Sequence, residues 1–336
     1  MQNPYAEVDY KTSGGDDSYN ALQMSFVRCF NSGLTMNAQY TYGSSKGLSS
    51  GSNEARTSAQ LDNFEADRGR NNFDVRHTFN LSALYQLPVG KGKRFDFGGI
   101  GNAFLGDWEI GGILNARSGV PVEILVVRPD VVIQCQLAAG CPNGAGGFFA
   151  NGFTANLPTV SAAVPLPVGF IAVANTPGGG NSRNIRRPNL IAGVNPYLGT
   201  DRNFINPAAF AIPQAGTFGD LGRNALSGPS FKQLDMIFDK RFRFTETMNI
   251  EFRTEVFNIT NQTNFANPST TLGNSLPSLS LAGGVYTAST SNVLQPGQAF
   301  TQNAAGATFG LLRSTVGRTV GLGSNRQIQF AFRFNF

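Results

Sequence analysis

Seven stretches of this chain alternate apolar and polar residues with a period of two. That period marks a β-strand whose two faces meet different surroundings. The first stretch is Asn20–Phe30, with Leu22, Met24, Phe26 and Phe30 on one face. In the second, Leu34–Tyr42, the residues Leu34, Met36, Ala38, Tyr40 and Tyr42 oppose Thr35, Asn37, Gln39 and Thr41. The third, Phe73–Leu87, sets Val75, His77, Phe79, Leu81, Ala83, Tyr85 and Leu87 against Asp74, Arg76, Thr78, Asn80 and Ser82. Asp107–Arg117, Phe231–Phe242 and Met248–Asn258 continue the pattern. The chain closes on RQIQFAFRFNF, residues 326–336, where Ile328, Phe330, Phe332, Phe334 and Phe336 share one face.

The connections alternate in length. Asn31-Ser32-Gly33, PVGKGKR and Phe244–Thr247 are short, whereas Gly43–Arg70, Ser118–Ser230 and Ile259–Arg318 are long and rich in Gly, Asn, Ser and Pro. Tight turns at one end and long loops at the other are the topology of a bacterial outer-membrane barrel. The polar faces carry Arg76, Arg117, Glu251, Arg253, Glu255 and Arg333. These suit a wet lumen and would be costly in a dry sandwich core. Tyr40, Tyr42, Tyr85 and Trp108 fall near predicted strand ends, where aromatic girdles lie. The expected fold class is therefore all-β, an antiparallel transmembrane β-barrel segment with long extracellular loops. It has seven strands, or eight if VDYKT near residue 8 is one. With seven, the first and last strands run the same way, and antiparallel barrels have even strand numbers. The segment is expected to be part of a larger barrel.

Composition sharpens this picture. Charged residues make up 14% of the chain, against about 25% in ordinary soluble domains, and there are 28 Phe to one Trp. The apolar windows Val120–Val127 and Val164–Ala174 are short and contain Pro, so no helix of the roughly 20 apolar residues that span a bilayer is expected. A net charge of +5 from scattered Lys and Arg gives no nucleic-acid footprint. Residues 1–30 lack a basic start, an apolar stretch and a small-residue cleavage site; a secretion signal is expected upstream. Cys135 and Cys141, six apart, form a candidate loop disulfide suited to an exported protein, with two unbonded thiols as the alternative. Cys29 is left over as a strand side chain.

The stretches SYNALQMSFVRCFNSGLTMNAQYTYGSS, DRGRNNFDVRHTFNLSALYQLPVGKGKRF, FINPAAFAIPQAGTFGDLGRNALSGPSF, MNIEFRTEVFNITNQTNF and RQIQFAFRFNF resemble the barrel of Oar-like TonB-dependent outer-membrane transporters of the acidobacterial type. The resemblance runs from about Tyr19 to Phe336, in the family's order. It implies the C-terminal third of a barrel of about 22 strands filled by a plug. It also implies import of a large nutrient and a TonB complex reached through an N-terminal region; plug, TonB box and signal peptide do not occur in this sequence. The resemblance further implies that Phe332, Phe334 and Phe336 form the C-terminal signal read by the barrel-assembly machinery. A standalone or oligomeric barrel acting as an adhesin or surface-binding protein is the competing expectation. An edge strand of a soluble sheet is a third reading of the last stretch, though a long phenylalanine-faced edge is an aggregation hazard in water.

Catalytic chemistry is sparse. His77 is the one histidine, and with no Cys or carboxylate cluster around it no metal site is expected. No G-x-S-x-G elbow accompanies it for a Ser-His-Asp arrangement. GKGKR at 90–94 lacks phosphate-loop spacing and is read as a cationic turn with no helix after it; GGIGNAFLG at 98–106 is likewise no dinucleotide fingerprint. NPAAFAIPQAGTFG at 206–219 is read as an ordered loop element packing into the barrel mouth. NSRNIRRPNL supplies Arg183, Arg186 and Arg187. They are candidate loop contacts for an anionic or hydroxyl-rich ligand, or loop-packing arginines paired with nearby carboxylates and carbonyls. No enzyme activity and no cofactor are expected. The expected partners are outer-membrane lipid, the barrel-assembly machinery, the TonB complex and an unidentified transported ligand.

Overall fold

The computed structural model describes residues 13–29, 33–48, 59–60, 63–129, 131–137, 141, 146–149, 151–152, 168–175, 186–200, 202–245, 248–282, 285–291, 293–317, 323 and 325–336. VDYKT lies outside them. Seven long strands form one antiparallel wall in chain order. They are β1 (Asp17–Cys29), β2 (Leu34–Gly47), β3 (His77–Gln86), β4 (Trp108–Arg117), β5 (Phe231–Arg243), β6 (Asn249–Phe257) and β7 (Gln327–Asn335). Strands of nine or ten residues, as in β3, β4, β6 and β7, match the 9–11 that cross a bilayer at a tilt.

Register keeps the two faces separate across the whole wall. Leu34, Tyr85, Ile110, Phe238, Thr254 and Phe330 lie side by side on successive strands. On the opposite face Gln86, Glu109, Asp239, Arg253 and Ala331 form a row. A slip of one residue would exchange these faces, so the alternation itself fixes the pairing. Short turns help: Gly33 has φ 84°, a region cheap only for glycine. Its carbonyl accepts a hydrogen bond from the Gln86 amide.

Among the described residues the wall's apolar face has no second layer over it. Met24 is 52% exposed, Phe330 64% and Phe332 75%. The buried apolar core lies elsewhere, among the long loops. Loop L1 (48–76), loop L2 (118–230) and loop L3 (258–326) converge at one end of the wall. Val122, Ile124, Val126, Ile205, Phe210 and Ile212 of L2 pack with Leu272, Phe300 and Phe309 of L3. Two-residue strands stitch the loops together: Leu125–Val126 pairs in parallel with Thr271–Leu272, and Pro121–Val122 with Leu226–Ser227. The element expected at 206–219 is ordered and packs into this loop core, with Phe210 and Ile212 among its members and Ala211 buried beside them.

Three differences from the sequence expectation have physical causes. The third strand starts at His77 rather than Phe73. Asp74 turns inward, accepting hydrogen bonds from the Ser45 amide at 2.7 Å and Arg70 at 2.7 Å, while its own amide donates to the Asn71 carbonyl and closes a turn at 71–74. The second strand runs on to Gly47, beyond the apolar alternation, because its far end pairs with β1 and with Gly69–Arg70 outside the apolar band. A helix, α1 (Gly99–Leu105), follows GKGKR where none is expected. Its start is held by the Asp96 carboxylate, which accepts from the Gly98 amide and the Asn102 amide group.

Candidate functional site

The polar face of β5, β6 and β7 carries a ladder of charges. Opposed positions set Asp239 beside Arg253, Arg241 beside Glu251, and Glu251 beside Arg333. Arg253 is its hub: Nε lies 3.2 Å from Asp239, and the terminal nitrogens 3.1 Å from Glu251 and 3.8 Å from Glu255. Asp235 accepts from Gln233 at 2.8 Å and from the Asn258 amide at 2.7 Å, while Glu109 accepts from Gln86 at 3.0 Å. Arg117 stacks over the Phe231 ring at 5.3 Å. This surface carries both signs of charge. Arg76, also expected on this face, lies just before β3 and pairs with Asp74 at 3.3 Å.

Beyond the wall, the loops are clasped by buried arginines. Arg187 reaches Asp67 of L1 at 2.5 Å and Glu123 at 3.0 Å, with both Arg187 and Asp67 nearly inaccessible. Arg186 donates to the Arg128 carbonyl. Both arginines are thus engaged inside the loop body, the geometry of the loop-packing alternative. Arg183 lies outside the described residues. Arg128 is buried and donates to the carbonyls of Asn175, Pro213, Gln214 and Thr217. Burial, with Arg186 close by, pulls its pKa down to about 10, so it stays charged at neutral pH. Arg223 donates to the Gly47 carbonyl and Asn71, and Asn224 to the Arg70 carbonyl and Asn72. A Cβ on Gly69 would lie 2.5 Å from the Arg223 carbonyl oxygen; only glycine lets L1 approach so closely. Composition gave no sign of Arg128, Arg223 or Asn224, whose roles depend on carbonyls distant in sequence. Asn224 alone left a trace, as an Asn in a Gly-rich turn with φ 51°.

Cys135 and Cys141 are bonded, with Cα atoms 5.9 Å apart. The bridge pins the end of Val131–Cys135, the middle strand of a small sheet between Phe148–Phe149 and Phe170–Ala174. Cys29 is a free, exposed thiol.

Aromatic residues mark both ends of the apolar face. At the long-loop end the Tyr40 hydroxyl lies 2.8 Å from His77 Nδ1, and the Tyr42 ring 5.2 Å from the His77 ring. At the short-turn end stand Tyr85, Trp108, Phe242 and Phe334. Lys240, on the apolar face, escapes isolation there: it donates to the Gly106 carbonyl and lies over the Phe242 ring at 4.9 Å. Phe332, Phe334 and Phe336 are all exposed on the same face of β7 and its end, with Phe334 and Phe336 stacked at 5.8 Å. Among the described residues no cluster of three or more His, Cys, Asp or Glu could hold a metal ion, and no helix is long and apolar enough to cross a membrane.

The family model described as outer membrane beta barrel domain matches residues 1–329. Comparison with curated proteins gives no match. With this match, the exposed apolar face is the lipid-facing surface, the charge ladder faces the lumen, and the loop body is extracellular.

Proposed function

Because the chain belongs to the outer membrane beta barrel domain family, we propose that it supplies wall and extracellular cap to a TonB-dependent transporter of the Oar-like type. The cargo is a large nutrient such as a siderophore, an oligosaccharide or a peptide. The observation that carries this reading is the open wall. The outer edges of β1 and β7 have no partner strand among the described residues, and the two strands run in the same direction. An antiparallel barrel closes across that gap only with an odd number of further strands. A wider barrel has room for a plugged lumen. The two-signed charge ladder suits passage of polar solutes. In this reading the TonB complex acts through a region N-terminal to this chain, the barrel-assembly machinery reads Phe332, Phe334 and Phe336, and no catalysis is assigned.

An antiserum against the Phe336 end, applied to purified outer membranes, tests the reading. A polypeptide several times the 35.9 kDa of this chain, whose ligand uptake stops when the proton gradient is collapsed, is the expected result. A heat-modifiable band near 35.9 kDa with no energised uptake would sink it. The standalone or oligomeric barrel would then lead, its open edges paired with further copies.

A further inference from the structure

The short connection between β3 and β4, turn T2 (87–107), is more than a link. Its apolar side chains face outward: Phe97 is 59% exposed, Ile100 80% and Phe104 67%. Largely exposed aromatic and aliphatic clusters on an ordered element mark an interaction surface. T2 is ordered. The Asp96 carboxylate accepts from the amides of Gly92 and Gly98 and from Asn102. Trp108 Nε1 donates to the Phe104 carbonyl at 2.8 Å, and Lys240 to the Gly106 carbonyl. Those two bonds fasten α1 to the short-turn end of the lipid-facing wall, so its ridge continues the lipid surface.

The charge on T2 is net positive. Asp107 pairs with Lys93 at 3.2 Å and with Arg243 of β5 at 3.7 Å; Asp96 stays an anion under its amide donors, near Lys91, and the three cations of T2, Lys91, Lys93 and Arg94, outnumber its two acids. Lys91 and Arg94 remain exposed, the latter over the Phe95 ring at 5.5 Å. An apolar ridge beside a net excess of exposed cations is the pattern of an element lying in a membrane interface among anionic headgroups.

We propose that T2 is a lipid-docking element of the periplasmic leaflet. Phe97, Ile100 and Phe104 enter the acyl boundary, and Lys91 and Arg94 hold the phosphates of anionic glycerophospholipids. The ridge fits this occupant because it is continuous with the wall already in contact with lipid, and because its net positive charge is complementary.

Site-specific photocrosslinking in native outer membranes tests this. A benzoylphenylalanine is placed at Ile100 in one preparation and at Phe332, on the wall, in another. Illumination is followed by mass analysis of the adducts. The expected result is phospholipid adducts at both positions. Those at Ile100 should be enriched about threefold or more in anionic phospholipid over bulk composition, as two basic groups near a charged leaflet would give. Lys91→Gln with Arg94→Gln should return the ratio to bulk while adducts persist. Protein adducts at Ile100, or none there while Phe332 still yields lipid adducts, would overturn the docking. A bulk lipid ratio in the unaltered protein would overturn the headgroup assignment. Ile100 is exposed, so its replacement removes no core packing.

Discussion

Phe252 and Phe332 face each other across β6 and β7 with ring centroids 4.9 Å apart, yet Phe332 remains 75% exposed. Its neighbour Ala331 sits opposite Arg253 on the other face. One step along the strand thus separates hydrocarbon from a charged lumen. Placing Arg at Phe332 should destabilise the membrane-inserted state by about 2–4 kcal/mol at mid-bilayer depth. Placing it at Ala331 should cost well under half of that. Urea unfolding midpoints of the two variants in vesicles give the comparison, and equal losses would contradict the assignment of faces.

Arg187 and Asp67 are both almost wholly buried at 2.5 Å separation. Removing one partner of a buried pair leaves an uncompensated charge and costs about 3–5 kcal/mol. Arg187→Ala should loosen the loop body by that order. Hydrogen exchange at the Ala59 amide, which donates to Asp67, and at Val126, which donates to the Arg186 carbonyl, should accelerate. Amides of β3 and β4 should stay protected.

The Cys135–Cys141 bridge closes a short loop six residues apart in sequence. Chain entropy assigns such a loop about 2 kcal/mol. Replacing both cysteines by Ala should speed proteolytic nicking around residues 131–149 and leave the wall intact. Unchanged nicking would show that Ile133, Phe149 and Phe170 hold that sheet without it.

Asp96 is held below the ordinary carboxylate range by the hydrogen bond from Asn102 and then by the amides of Gly98 and Gly92. A depressed folded-state pKa stabilises the turn above the unfolded value of 3.8. That contribution fades as pH falls through the lower folded value. Fluorescence of Trp108, tied to α1 through Phe104, should therefore shift on strong acidification. Asp96→Asn should remove the pH dependence of that signal; a persisting acid transition in the variant would place its origin elsewhere.

The wall was legible because lipid and lumen make opposite demands on alternate residues, and Leu34 to Phe330 obey them across the sheet. Asp74 broke the reading: Phe73 and Val75 keep the alternation, but the carboxylate between them folds back to Ser45. α1 was hidden by its glycines, which argue against a helix until Asp96 holds its start. The loop core was hidden for another reason. Two-residue pieces such as Leu125–Val126 show no periodicity, and their partner at Thr271–Leu272 lies on a different loop. The clasp on Arg187 was visible only as three arginines in a loop, since its acids come from Asp67 and Glu123, far away in sequence.

The parallel pairing of Leu125–Val126 with Thr271–Leu272 also sets a timetable. The first segment belongs to the loop ahead of β5, and the second to the loop after β6. The hydrophobic interior of the cap therefore cannot be completed until the last of the long loops has crossed to the outside. Until then L2 must wait there with Ile124, Val126 and Phe210 uncovered, at a surface without ATP-driven chaperones. Such distant pairing slows folding, so closure of the cap should lag the local hairpins β1–β2, β3–β4 and β5–β6 and keep company with the β4–β5 and β6–β7 seams, which also span long loops.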